Sequence, residues 1–315
     1  MNNVLVTGGA GFIGSHLADA LLLRGCAVTA LDNLSLGRRD NLQQAMRNPA
    51  FTFVEGDILH EETLHGLFRE RKFDMVFHLA ANSDIARSHA DPSIDLNLTF
   101  LTTFRVLEAM RRFGVRDILF ASTSAIYGQT GGVEVAEDFG PLFPASHYGA
   151  GKLASEGFIA SYVENYGLRA FITRFPNVCG GRTTHGVLHD FIRKLRSNPD
   201  ELEVLGDGKQ AKPYLHVRDL VDALLFVRAH APDALNIYNL GVEGQTTVTD
   251  IARMVINAMG LHARIRYTGG DRGWVGDVPR FAYNLDKIHQ LGWKASMRSD
   301  QAVRAAIADI LEQGA

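Results

Sequence analysis

Three groups of residues in this 315-residue chain have the types and spacing that chemistry needs. Tyr148 and Lys152 stand four positions apart, which on a helix puts both side chains on one face. A free phenol, with a pKa near ~10, is too weakly ionised to act as a base at neutral pH. A neighbouring ammonium favours the phenolate and, together with a second positive charge, draws that pKa toward the working pH. Far upstream, Thr7-Gly8-Gly9-Ala10-Gly11-Phe12-Ile13-Gly14 joins an apolar run to a helical pattern. Glycines in that context let backbone amides approach a pyrophosphate seated on the positive end of the helix. The third group is Asp32, which closes the next apolar run. A carboxylate there binds ribose hydroxyls and repels a 2′-phosphate, so the pattern points to NAD rather than NADP. The positive nicotinamide ring is that second charge favouring the phenolate. Arg38 and Arg39 lie close by and read as a solvated face. His185 and His189 are four apart and near Cys179, but no acidic or thiol pair completes a zinc site, so no metal is expected.

These groups need elements to hold them. Short apolar runs at Val4–Thr7, Val28–Leu31, Phe51–Glu55, Met75–Leu79, Ile118–Ser122 and Arg169–Arg174 alternate with helical patterns at Ser15–Leu23, Glu62–Phe68, Asn97–Phe113 and Tyr148–Tyr166. Strands alternating with helices predict an α/β fold, a doubly wound parallel sheet of the Rossmann kind. After Phe175 the rhythm gives way to Gly- and His-containing loops. The expected organisation is a dinucleotide-binding domain over 1–176, rejoined by about 217–240 through Val217–Arg228 and Ile237–Leu240, and a smaller substrate-binding domain over 177–315. Asp300–Leu311 has the pattern of a packed terminal helix.

Composition narrows the class. A chain of this length buries roughly three quarters of its unfolded surface and needs no disulfide staple. Its two cysteines, Cys26 and Cys179, make no secreted framework, and Cys26 lies in an apolar run that suits a buried, reduced thiol. The formal net charge of -3 offers no footprint for nucleic acid. No apolar stretch reaches the ~18 residues that would span a bilayer, and Val4-Leu5-Val6-Thr7 runs straight into glycines rather than into a cleavable leader. The expectation is a soluble cytoplasmic protein.

The spacing Gly8-x-x-Gly11-x-x-Gly14 resembles that of the extended short-chain dehydrogenases, and the resemblance runs over nearly the whole chain. Its motifs are most similar to those of the NAD-dependent nucleotide-sugar epimerases and dehydratases, the UDP-galactose 4-epimerases among them. The resemblance implies that Gly8, Gly11, Phe12, Ile13, Gly14, Asp32, Asn33, Ser35 and Gly37 hold the cofactor. It adds Asp57 and Ile58 at the adenine, Leu79, Ala80 and Ala81 from the fourth strand, and Asn97 on the central helix, where Phe100 replaces a glycine common in the family. Ser122-Thr123-Ser124-Ala125-Ile126-Tyr127-Gly128 is similar to the fifth-strand motif, and alignment on Tyr127-Gly128 puts Thr123 in the place of the hydroxyl that hydrogen-bonds the reacting oxygen. Thr123, Tyr148 and Lys152 are then the catalytic residues, with Lys152 also on the nicotinamide ribose.

Arg174-Phe175-Pro176-Asn177-Val178-Cys179-Gly180 resembles the family's junction, which implies that Pro176 touches the nicotinamide amide and Asn177 the substrate. Ser83, Thr123 and Leu188 join the implied substrate set. Lys212 and His216 lie in a segment similar to the nucleotide pocket, although relatives place arginine and aspartate where Lys212 and Pro213 stand. A lysine answers a diphosphate as a point charge, without a bidentate fork. Arg272 is a second candidate for the phosphates.

The two residues after Thr123 separate reactions. The resembling 4,6-dehydratases carry Asp then Glu there, and the glucuronate decarboxylases a glutamate at the second place; Ser124 and Ala125 can do neither job. The resemblance therefore implies a C4 epimerase of a nucleotide-diphosphate sugar, working through a transient 4-keto sugar. A one-way 4-dehydrogenase or ketoreductase is the alternative. A catalytically dead NAD-sensing regulator is the remote one, disfavoured because Tyr148 and Lys152 are both retained. The family's four-helix dimer interface maps onto Asn97–Phe113 and Tyr148–Tyr166, with Phe104, Phe158 and Tyr162 expected to face outward in a homodimer.

Overall fold

The computed structural model describes residues 2–270 and 281–314. Arg272 therefore lies outside the described residues. The chain divides into two compact units, the first made of Met1–Gly128, Pro141–Arg174 and Leu224–Tyr238.

In the first unit the order is β1 (Asn3–Thr7), α1 (Phe12–Leu23), β2 (Ala27–Asp32), β3 (Phe51–Glu55), α2 (Glu61–Glu70), β4 (Met75–His78), α3 (Thr102–Phe113), β5 (Asp117–Thr123), α4 (His147–Tyr166), β6 (Arg169–Phe175) and β7 (Leu235–Asn239). The seven strands form one sheet in the order β7-β6-β5-β4-β1-β2-β3. Parallel pairing sets Val4 beside Val28 and Met75, and Thr7 beside Leu31 and His78. Strand order reverses at β1, so the C-terminal ends of β1 and β4 flank the crevice where doubly wound sheets bind ligands. The inner strands are largely apolar, as strands with helices on both faces are. Leu5, Leu31, Val76, Phe120 and Ile172 of the sheet meet Leu64, Val106, Leu107, Met110 and Ile159 of the helices in one core. Each such side chain contributes roughly 1.5–3 kcal/mol by leaving water.

The pattern over Asn97–Phe113 predicts one helix, but the chain there runs as a short helical piece, Ser93–Asp95, a π-helix over Leu96–Leu101, and then α3. Three threonine hydroxyls divert the backbone: Thr99 Oγ1 donates to Asp95 Oδ1, Thr102 Oγ1 to the Leu98 carbonyl and Thr103 Oγ1 to the Thr99 carbonyl. Hydroxyls bonded back to the preceding turn compete with the backbone ladder and distort a helix.

The second unit comprises Gln129–Gly140, Phe175–Ala223 and Asn239–Ala315. Its core joins Leu188, Phe191, Ile192 and Leu195 of the helix Val187–Ser197 to Ile251 and Val255 of Val248–Ala258 and to Val303, Ile307 and Ile310 of the terminal helix Ser299–Glu312. Among the described residues three parallel strand pairs belong to it, Glu201–Val204 with Arg264–Tyr267, Asn177–Cys179 with Tyr214–His216 and Glu134–Val135 with Ala282–Tyr283. Among the described residues no helix is long and apolar enough to cross a membrane.

Candidate active site

The loop between β1 and α1 is built for close approach. Gly8 has a φ of +69°, and a Cβ there would stand 2.8 Å from the Ala80 nitrogen; one on Gly14 would stand 2.1 Å from the Gly8 carbonyl oxygen. The N-cap residue Gly11 has no side chain to cap α1, and its first turn, which includes Phe12 and Ile13, holds no acid. Backbone N–H groups of that first turn suit an anion, while the Ala10 N–H just before it is taken by Asp32.

Asp32 closes β2 and is 8% exposed. Its Oδ2 accepts from the Ala10 N–H at 3.0 Å and its Oδ1 from the Leu34 N–H at 2.8 Å. Burial pushes its pKa up, and the backbone donors of Leu34, Ala10 and Gly11 oppose that rise. Gly37 lies against the same carboxylate, 2.9 Å from where its Cβ would be. Asn33 Oδ1 accepts the Ser35 N–H, and Asn33 Nδ2 donates to Asp57 Oδ2 at 3.0 Å, so the two acidic strand ends are tied together. Arg39 is turned onto Glu55 at 2.7 Å. Loop, helix end and carboxylate together fit an adenine dinucleotide without a 2′-phosphate.

Leu79, Ala80 and Ala81 are partly exposed just past β4, and Ile58 is buried. His78 is fully buried between Thr7 Oγ1 at 2.7 Å and Thr103 Oγ1 at 3.1 Å. Burial first, and the Lys152 charge second, push its pKa down to about 3, so the ring is neutral. Ser155 Oγ reaches Thr103 Oγ1 at 3.1 Å, extending a buried chain from the glycine loop to α4. Asn97 is half-buried, and its Nδ2 donates to the Ser93 carbonyl of its own helix at 2.9 Å. The π-turn brings Thr99 inward, fully buried and accepting the Asn82 N–H at 3.3 Å.

Thr123, Tyr148 and Lys152 come together across β5 and α4. Ser146 caps α4 by accepting the Gly149 N–H at 3.1 Å. Thr123 accepts the Ala125 N–H at 3.2 Å and hydrogen-bonds the Tyr148 phenol. Lys152 is 1% exposed; its Nζ donates to the Ala121 carbonyl at 2.6 Å and stands 5.9 Å from the Tyr148 ring centre. The lysine is expected to ease the phenol toward ionisation, and burial works against it. Burial pushes Tyr148 up to about 12, Asp95 adds to the rise, and the Thr123 hydrogen bond opposes it. Burial pushes Lys152 down to about 7, against the charges of Glu156 and Asp95. Desolvation is the largest effect on both groups. A further positive charge beside the phenol is what would reverse the balance.

Two positions that motif reading passed over, Glu156 and Asp95, lie behind this arrangement. Glu156, one turn beyond Lys152, accepts from Ser122 Oγ and forms a buried ion pair with Arg174 at 2.7 Å. Arg174 Nη1 donates to the Tyr127 hydroxyl at 2.9 Å. The i+4 step from Lys152 to Glu156 was the available signal. Asp95, 1% exposed, belongs to none of the motifs singled out in the sequence.

Ser83 is exposed in the loop after β4. In the second unit, Pro176 is buried, Asn177 is exposed at the start of its strand, and Lys212 is half-buried in Ala211–Lys212, which pairs with Thr246–Thr247. Leu188 has its side chain in the core, leaving its backbone at the first turn of Val187–Ser197. His216 is fully buried, with Nε2 3.2 Å from Asp309 and Nδ1 accepting the Arg218 N–H at 3.3 Å. Its side chain is thus a packing element rather than the substrate ligand expected from the sequence.

The chain matches the model of the NAD dependent epimerase/dehydratase family over residues 4–241. It is 37% identical over 262 residues to a UDP-glucose 4-epimerase of Mycolicibacterium smegmatis, covering 81% of this chain and 82% of that one. A crystal structure of a UDP-galactose 4-epimerase superposes with a TM-score of 0.88 at 39% identity, over 99% of each chain. A UDP-glucose 4-epimerase of Thermotoga maritima, solved with UDP-glucose, superposes with a TM-score of 0.90 at 30% identity, over 99% of this chain and 100% of that one.

Proposed function

The chain belongs to the NAD-dependent epimerase/dehydratase family, and from that membership we propose that it interconverts the C4 epimers of a nucleotide-diphosphate sugar, a UDP-hexose first among candidates. The observation that carries this reading is the Thr123–Tyr148–Lys152 constellation on β5 and α4, with Ser124 and Ala125 standing where a dehydratase needs acids. Tyr148 takes the proton of the C4 hydroxyl and gives it back, and Thr123 orients the same oxygen. Lys152 supplies the ammonium that favours the phenolate, and the charges of Glu156 and Asp95 oppose the loss of its proton that burial favours. The glycine loop, Asp32, Asn33, Ser35, Gly37, Asp57, Ile58, Leu79, Ala80, Ala81 and Pro176 hold NAD. The cofactor supplies reversible hydride transfer at C4. Ser83, Asn177, the backbone at Leu188, Lys212 and Arg272 bind the sugar nucleotide.

The test is turnover of UDP-glucose and UDP-galactose, monitored by NMR of the C4 configuration together with the absorbance of reduced nicotinamide. Interconversion without net reduced cofactor is expected. Stoichiometric ketone with no C4 epimer would move the assignment to a one-way dehydrogenase, and loss of water at C6 would overturn the motif argument.

The same reading makes the protein a cytoplasmic homodimer. Phe158, 40% exposed, meets Phe100 and Phe104 edge-on at 5.0 and 6.1 Å between ring centres, and these rings make an apolar face on α4 and the π-turn–α3 segment. Tyr162 belongs to the interior instead, 6% exposed with its hydroxyl on Glu108. Light scattering at micromolar protein is expected to give a dimer, and Phe158→Glu a monomer.

A further inference from the structure

Behind the catalytic pair lies a carboxylate that the epimerase chemistry does not use. Asp95 is 1% exposed. Its Oδ1 accepts from Thr99 Oγ1 at 2.8 Å and from Asn82 Nδ2 at 3.2 Å. Its Oδ2 is buried with no hydrogen-bond partner among the described residues. Asn82 is itself locked, donating to the Asp84 carbonyl and accepting the Asp84 N–H at 3.1 Å each. The segment sits hard against α4 between Tyr148 and Lys152: a Cβ on Gly151 would stand 3.2 Å from Thr99 Cγ2 and 3.3 Å from the Asp95 carbonyl oxygen. A side chain at 151 would push this segment, and its charge, off the catalytic helix.

An unpaired carboxylate oxygen in the interior is costly, and burial without a full set of partners is tolerated where it does something. Buried charges act strongly on groups nearby because little water screens them. We propose that Asp95 is a positioning residue for the reaction, a fixed negative charge that Thr99 and Asn82 hold behind Tyr148 and Lys152 and that sets the pH range in which the pair works. The proposal rests on the epimerase reading only for its kinetic readout. The charged and titratable groups facing the pair among the described residues are few. Glu156 of α4 is tied to Arg174 of β6, and His78 of β4 is neutral. Asp95 of the Ser93–Asp95 piece is the remaining one, and its charge raises the pKa of both Tyr148 and Lys152. It favours the charged ammonium and opposes ionisation of the phenol, so neutralising it moves both ionisations to lower pH.

Asp95→Asn keeps the shape and an acceptor for Thr99 while removing the charge, and Asp95→Ser removes charge and bulk together. For each, kcat and KM are measured against pH with UDP-galactose, with unfolding and NAD content as controls. Phenol ionisation is read separately, as the ultraviolet difference between each NAD-loaded protein and the same protein carrying Tyr148→Phe. Both limbs of the kcat profile, and the phenol titration, are expected to shift downward by roughly one pH unit, with KM for the sugar unchanged. Profiles and titrations that superpose on wild type would overturn the proposal, as would failure of both variants to fold and hold NAD, which would make Asp95 a structural residue only. If the wild type turned over no nucleotide sugar, the epimerase reading would fall while the phenol titration still decided the role of Asp95.

Discussion

Glu156 and Arg174 form an ion pair with side chains 6% and 5% exposed, one helical turn beyond Lys152 and on the strand leading out of the first unit. Removing one partner of such a pair strands the other charge in the interior, which costs about 3–5 kcal/mol. Glu156→Ala is therefore expected to lower the urea midpoint of unfolding sharply. Glu156→Gln, which keeps acceptors for Ser122 and Arg174, is expected to lose less stability while lowering the Lys152 pKa. An unchanged midpoint in Glu156→Ala would remove the pair from the support of the site.

Tyr148→Phe deletes the acid–base group and leaves the ring. It is expected to fold and bind NAD as wild type does but to lose roughly 10²–10⁴ in turnover, the usual worth of a positioned proton-transfer group. Thr123→Val removes an orienting hydrogen bond worth about 0.5–1.5 kcal/mol and is expected to cost less. Steady-state kinetics on both variants, beside calorimetric NAD titration, check the order.

The carboxylate of Asp32 is held by backbone donors at the end of β2, where an acid repels a 2′-phosphate. NAD is expected to bind tighter than NADP by on the order of tenfold or more, and Asp32→Ala to narrow that gap. Calorimetric titration of both dinucleotides decides it. Equal affinity in the wild type would shift attention to Arg38 and Arg39.

His78 gives a pH signature to stability. Its folded pKa of about 3 lies below the ordinary 6.5, so below 6.5 the unfolded chain binds a proton that the native protein refuses. Stability is unaffected by this group above pH 6.5 and falls as the pH drops below it, by about 1.4 kcal/mol per pH unit for one proton. Urea unfolding between pH 6.5 and 4.5 is expected to show that slope flattened in His78→Gln relative to wild type. Parallel curves would mean the ring takes up its proton in the folded state.

Much of this molecule was legible before any coordinates, because the relevant information is local. The alternation of apolar runs with helical patterns is a direct consequence of strands buried on both faces, and β1 to β6 fall where those runs lie. The glycine loop, Asp32 and the Tyr148–Lys152 spacing are short motifs whose neighbours in sequence are their neighbours in space. What only the tertiary structure decided depends on residues far apart in the chain. The π-turn gave Thr99 the inward place. Thr103 and Ser155, 52 positions apart, carry the His78 chain to the catalytic helix. His216 turned to Asp309 near the end of the chain. Above all, the protonation states of Tyr148, Lys152 and His78 are set by how completely water is excluded around each. Exclusion of water is a property of packing in three dimensions, and no spacing of residues along the chain encodes it.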